Sequence, residues 1–207
     1  MSLETWLAFL GASALLVMLP GPTILTVISY SIAQGRRARL PLVLAVALGD
    51  STALLLSLLG LGALLATSAF WFTVVKIVGG LYLLYLGFKL LRAGVSPATL
   101  PTATASGSRW KLFANTYLVT ALNPKGIIFF VAFLPQFIDP AGDVTRQLWI
   151  LSATFVACAG INAMAYAIFA GSARRLLASP RAQRGFNLGG GAMLSAAGIW
   201  ALLARRV

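Results

Sequence analysis

An all-α integral membrane protein is the fold class the sequence predicts: six transmembrane helices forming two inverted three-helix repeats, with helices 1 and 4 broken at proline. Three observations lead there. The 207-residue chain is 59% hydrophobic and 10% charged, with a mean hydropathy of +0.91, and a helix needs about 20 consecutive apolar residues to cross a bilayer. Its apolar runs are continuous, without the period-two alternation of a membrane β-barrel. Two of those runs also carry proline deep inside them.

The first span, over 3–33, contains Leu-Pro-Gly-Pro-Thr at residues 19–23. It begins with Glu4 and lacks the basic start of a secretory signal, so it is expected to stay in the mature protein. The second and third, over 40–66 and 70–91, are the most uniformly apolar. The fourth, over 110–137, is interrupted by Leu-Asn-Pro-Lys-Gly at 122–126. The fifth covers 148–173, and the short, Gly-rich sixth covers 186–204. The tryptophans Trp6, Trp71, Trp110, Trp149 and Trp200 fall near these span ends, where an amphipathic ring prefers the headgroup level.

Basic residues set the orientation. Arg36, Arg37 and Arg39 follow the first span; Lys89, Arg92, Arg109 and Lys111 flank the loop after the third; Arg174, Arg175, Arg181 and Arg184 follow the fifth. The second and fourth loops hold only Arg146 against Asp139 and Asp143. The positive-inside rule puts the first, third and fifth loops in the cytoplasm and both termini outside, although Arg205 and Arg206 at the C-terminus oppose it. The Ser/Thr/Ala/Pro-rich stretch 93–108 reads as a cytoplasmic linker. Within a single transporter-like domain, 1–207, it separates a three-helix repeat over 1–92 from a second over 109–207. Three spans per half force the halves, if related, into opposite orientations.

Each break has chemical content. Pro22 removes the hydrogen bond normally donated to the Met18 carbonyl, Pro20 disturbs that of Leu16, and Pro124 frees that of Thr120. Lipid cannot hydrate such groups, so a break survives only against protein or a wet cavity. Freed carbonyls attract a cation, and the helix that restarts beyond the break attracts an anion. Together they suit a zwitterion, with Pro20, Gly21, Pro22, Thr23, Asn123, Pro124 and Lys125 as the candidate binding residues.

Asp50 is the only ionisable residue between Arg39 and Lys76, about 16 Å along its helix from Arg39. A charge at such depth costs about 2.5–3.5 kcal/mol on insertion scales and commonly marks an ion or proton path. The competing reading is that Asp50, with Ser51 and Thr52, caps a broken helix or pairs permanently with Lys125. Lys125, about 22 Å into the fourth helix, could neutralise Asp50 or hold a substrate carboxylate. Asn162, midway along the fifth span, corresponds in position to Asp50 and either lines the cavity or bonds a neighbouring helix. Tyr82 and Tyr85 are further candidates for cavity lining. Ala159, Ala163, Ala167 and Gly171, and Gly191 with Ser195, form small-residue faces that allow close helix approach within the chain or in a homo-oligomer.

Other chemistries are poorly provisioned. There is no histidine, one cysteine (Cys158) and four carboxylates, which excludes a metal cluster, a redox dithiol and a histidine-based triad. No cofactor and no enzyme activity are expected. The net charge of +12 lies in short loops beside the spans, where contact with anionic lipid accounts for it without nucleic acid.

Leu-Pro-Gly-Pro-Thr, Gly-Arg-Arg at 35–37, Ala-Leu-Gly-Asp at 47–50, Gly-Leu-Tyr-Leu-Leu-Tyr-Leu-Gly at 80–87 and Asn-Pro-Lys at 123–125 together resemble the LysE/RhtB family of bacterial amino-acid exporters, in order and spacing, over nearly the whole chain. The resemblance implies export of amino acids or their derivatives across the bacterial inner membrane, coupled to the proton gradient. It singles out Pro20, Gly21, Pro22, Asp50, Asn123, Pro124 and Lys125. On residues alone, a passive channel or an exporter of another small solute such as a metal cation stays open. A metal exporter would call for more carboxylate, Cys or His ligands.

Overall fold

The computed structural model describes residues 1–67, 69–94, 108–139 and 141–203, without the side chains of 61–67, 69, 71–73, 75, 76, 200 and 201. The linker expected over 93–108 falls almost wholly outside these residues, as do Arg205 and Arg206 and the side chains of Trp71, Lys76 and Trp200.

The described chain is helical apart from short connections, as the sequence predicts, and contains no strand. Helix α1 spans Leu3–Met18, α2 Pro22–Gln34, α3 Arg39–Thr67, α4 Ala69–Arg92, α5 Arg109–Ala121, α6 Pro124–Ile128, α7 Val144–Ile168, α8 Ala170–Ala178 and α9 Pro180–Leu203. Helix α6 runs on through a π turn, Phe129–Phe133, and a 3-10 turn, Leu134–Phe137. Among the described residues, three helical stretches are long and apolar enough to cross a membrane: 22–60, 109–137 and 144–168.

Local chemistry sets the ends. Ser2 caps α1 through the Thr5 N–H, and Asp143 caps α7 through the Arg146 N–H. Pro22 and Pro124 stand in the first turns of α2 and α6, where the missing N–H costs nothing and the fixed φ is already helical. Two boundaries depart from the sequence reading. The fifth helix stops at Ile168 instead of 173, because the chain turns at Phe169 into α8, and α9 starts at Pro180, six residues before the expected start of its span.

Burial is distributed as a bilayer requires. Leu44, Leu48, Leu55, Leu56 and Leu59 lie exposed along α3, while Asp50, Thr116, Thr120 and Asn123 are buried. The core is aromatic: Phe9 of α1 meets Phe137 edge-on at 5.2 Å, Phe129 meets Phe133 at 4.9 Å, and Phe130 meets Phe155 of α7 at 4.7 Å. Such pairs contribute about 0.5–1.5 kcal/mol each beyond area burial, and they lock α1, the π turn and α7 together.

Glycine sets the tightest approaches. A Cβ on Gly49 would stand 2.7 Å from the Thr120 Cβ, so α3 and α5 touch immediately beside Asp50. On α4, a Cβ at Gly87 would stand 2.7 Å from the Ser195 backbone nitrogen and 2.8 Å from the Gly191 carbonyl on α9. The Gly191/Ser195 face is therefore used within the chain and is not free for a homo-oligomer. Of the other small-residue face, Ala159, Ala163 and Ala167 are buried in the core, but Gly171 lies exposed on α8 with open space around it. The stripe ends where α7 ends.

Replacing Gly87 with leucine should destabilise the α4–α9 contact by about 1–3 kcal/mol through overpacking, lowering the melting temperature in detergent. Gly189→Leu, at a position with open space, should leave it nearly unchanged.

Candidate functional site

The two interruptions meet. Between Met18 and Pro22 the chain is extended, with Leu19 at φ −65°, ψ 118° and Gly21 at φ −127°, ψ −174°. Between Ala121 and Pro124, Asn123 is extended in the same way, at φ −70°, ψ 111°. The Asn123 side chain joins them: its Oδ1 accepts from the Lys125 backbone N–H at 3.1 Å, capping α6, and its Nδ2 donates to Thr23 Oγ1 in the first turn of α2 at 3.2 Å.

The carbonyls from Leu16 to Leu19, at and just past the end of α1, are each engaged by a side chain. Lys125 Nζ donates to the carbonyls of Leu16 at 3.0 Å and Leu19 at 2.9 Å. Asn162 Nδ2 of α7 donates to Val17 at 2.8 Å, and the Tyr166 hydroxyl donates to Met18 at 3.0 Å. These four consecutive carbonyls, where helical partners run out, thus receive side-chain donors from α6 and α7, that of Leu16 in addition to the Leu19 N–H at 3.3 Å. This corrects the expectation that the breaks expose free carbonyls. It also places Lys125 against the α1 terminus, where the helix dipole favours a cation, and not within ion-pair distance of Asp50.

Asp50 stands on the buried face of an uninterrupted α3. Ser51 and Thr52 return their hydroxyls to the Ala47 and Leu48 carbonyls of the same helix, and Thr52 also meets the Tyr117 hydroxyl at 3.1 Å. Asp50 therefore caps no broken helix. Its carboxyl makes no hydrogen bond among the described residues and faces a chamber of about 40 Å³, lined by Leu16, Val17, Thr23, Ile24, Val46, Asn123, Lys125, Gly126, Phe155, Ala159 and Asn162 as well. At that size the chamber has room for a few waters, well below the roughly 300–1,000 Å³ of ordinary small-molecule pockets.

Of the sequence candidates, the structure gathers Thr23, Asp50, Asn123, Lys125 and Asn162 around this chamber, with Pro20, Gly21, Pro22 and Pro124 shaping the backbone beside it. Tyr82 and Tyr85 lie elsewhere, as a correction to their expected lining role. Tyr85 is 57% exposed with Lys89 over its ring at 5.9 Å, and the Tyr82 ring packs 6.1 Å from it on the same outer face of α4. Tyr166 was not singled out by the sequence. Its spacing of four from Asn162, two polar groups on one face of an apolar helix, was the signal available.

Removing one of these donors leaves a carbonyl unpaired in an apolar setting, which costs about 0.6 kcal/mol on average and up to about 1.7 in membrane helices. Tyr166→Phe and Asn162→Leu should each lower stability in detergent by that order. Both should speed amide hydrogen exchange in the last turn of α1, the readout that a general loss of packing would not confine there.

Comparison with known proteins adds a family. Residues 14–205 match the family model described as LysE type translocator. An uncharacterized membrane protein of Vibrio cholerae is 32% identical over 96% of this chain and 97% of its own length. A homoserine/homoserine lactone efflux protein of Salmonella typhimurium is 31% identical over 99% of this chain and 98% of its own. A leucine efflux protein of Enterobacter is 29% identical over 82% and 80%. No solved structure matches the chain.

Proposed function

The chain belongs to the LysE type translocator family, and from that premise we propose that it exports an amino acid or amino-acid derivative from the bacterial cytoplasm as a secondary carrier driven by proton antiport. The observation that carries this reading is the single carboxyl of Asp50, buried at mid-helix and facing the small chamber where two helix interruptions converge. Efflux of homoserine or its lactone, and of leucine, is what two relatives are named for. Both are small zwitterions or amines, the chemistry that paired helix ends suit.

The helix pairings support a six-span arrangement of inverted repeats. Helix α3 packs on α5 while α7 packs on α1 and α2; α3 packs on α7 and α4 on α9. Exchanging one half for the other maps this set of pairs onto itself. Under that exchange Asp50 of α3 and Asn162 of α7 correspond, and both line the chamber.

Orientation follows from the basic residues. Arg36 and Arg37 lie exposed just after α2, and Arg174 and Arg175 lie exposed on α8, which packs against α2; basic residues in these two connections suit the cytoplasmic side and anionic lipid of the inner membrane, which puts both termini outside. In the proposed cycle, substrate enters from the cytoplasm, Asp50 exchanges a proton, and the halves rock about the chamber. The inward proton gradient then drives substrate outward. At about 40 Å³ the chamber is too small to pass an amino acid without rearrangement, which favours a carrier over a permanently open channel. Among the described residues Asp50 is its one carboxylate, a poor donor set for a metal cation.

Asp50→Asn should insert normally and lose substrate accumulation driven by an imposed pH gradient in inverted membrane vesicles. Export by that variant at the wild-type level, or gradient-independent flux through the wild type, would reject the antiport reading.

A further inference from the structure

Resting on that export reading, we propose that the Lys125 ammonium is an internal stand-in for the substrate's own ammonium group: it fills, in the empty carrier, the pair of carbonyls on Leu16 and Leu19 that a transported amine takes in the loaded one.

The geometry of the pair is that of an ammonium site. Two carbonyl oxygens, Leu16 in the last turn of α1 and Leu19 just beyond it, converge on one nitrogen at 3.0 and 2.9 Å, at the negative end of a helix. An ammonium has three donors and no acceptor, so a single such group satisfies both oxygens and keeps a donor for a third partner. The neighbouring carbonyls of Val17 and Met18 are served by Asn162 and Tyr166, neutral groups on a different helix. The break therefore divides into two neutral caps that belong to the scaffold and one cationic cap that belongs to the chamber wall.

Lys125 is built to leave. Its backbone is fixed at the start of α6 by the Asn123 cap, while its stem passes over Gly21, where even an added Cβ would stand 3.5 Å from Nζ. Across the same chamber the Asp50 carboxyl has no hydrogen bond among the described residues, and the two charges interact electrostatically through that space. Among the described residues, Asp50 is the one other ionisable group lining the chamber. A swing of the lysine toward it would release both carbonyls, give the ammonium a counter-ion and enlarge a cavity now too small for an amino acid. Retaining the lysine on the carbonyls when no substrate is present keeps the buried oxygens paired and the pathway shut.

The substrate class follows. A solute must bring N–H donors on a cationic nitrogen to displace Lys125, so free amines are transported and N-acylated ones are not, whatever their side chains.

The test uses methylammonium as the probe. Purified Lys125→Ala should melt below the wild type and regain several degrees when methylammonium is added, whereas tetramethylammonium, a cation without N–H donors, should do nothing, and neither should stabilise the wild type. No stabilisation of the variant by methylammonium overturns the proposal. Lys125→Met keeps the packing of the stem over Gly21 and carries the same comparison if the alanine variant does not fold. In vesicles, Lys125→Ala should show a several-fold lower half-saturating concentration for L-homoserine or L-leucine because the internal competitor is gone. A several-fold rise would instead show that Lys125 holds the substrate carboxylate, and would equally overturn it. Absence of any amino-acid transport by the wild type would count against the export reading alone, since the methylammonium comparison does not depend on it.

Discussion

Backbone carbonyls that lose their helical partners inside a membrane have nowhere to turn but to other protein groups, and this requirement organises the molecule around the end of α1. Four successive carbonyls are bound there by Lys125, Asn162 and Tyr166. Each of those donors comes from the second half of the chain. The interruption in the first half is thus stable only when the second half is in place. The Asn123 to Thr23 bond ties the complementary interruption to the same spot. What looks like a local weakness of one helix is the joint between the two halves.

The rest of the packing serves to hold that joint in register. Gly49 lets α3 sit against α5 at van der Waals contact, and the next residue along is Asp50; a side chain there would push the carboxyl away from the chamber. The π turn at Phe129–Phe133 continues α6 with a wider coil, a feature frequent near functional sites, and aims Phe129 and Phe130 at Phe155. Helices α4 and α9 approach through glycine on both sides, and Gly190 of α9 lies against the Leu19 side chain at the first interruption. The molecule is rigid where helices clasp and sparsely bonded at the Asp50 carboxyl, the division expected of a carrier whose moving parts must be few.

Much of this was legible in the sequence, and the limits were physical. Proline announces itself, because its missing N–H acts at its own position; residues 20, 22 and 124 therefore pointed to the places where helices stop and restart. A lone carboxylate between Arg39 and Lys76 is equally plain. The engagement of the α1 carbonyls was hidden, since a backbone acceptor has no letter in the sequence and nothing in Asn162 or Tyr166 says which oxygen it will find. Tyr82 and Tyr85 misled for another reason. In a span apolar on all sides the lipid face and the cavity face carry similar residues, and Tyr85 with Lys89 proved to face outward. The end of the fifth helix was misjudged because Ala170 to Ala173 continues the apolar run, although the chain has already turned at Phe169.

The arrangement also explains why a lysine, and not another small polar residue, suits position 125 next to the break. A hydroxyl or amide could serve one carbonyl, as Tyr166 and Asn162 do, but two oxygens at the negative end of a helix are better matched by a compact positive charge with several donors. Its cost is desolvation of that charge, which the second ionisable group of the chamber, Asp50, partly offsets by attraction. Neither charge would be tolerable there alone. Both are buried in one small space, unpaired by direct contact yet within each other's field, with the lysine held on the carbonyls and the carboxyl left without a hydrogen bond among the described residues. A buried ammonium kept from its nearest counter-charge is the kind of group whose position a ligand with different affinity for two arrangements can shift.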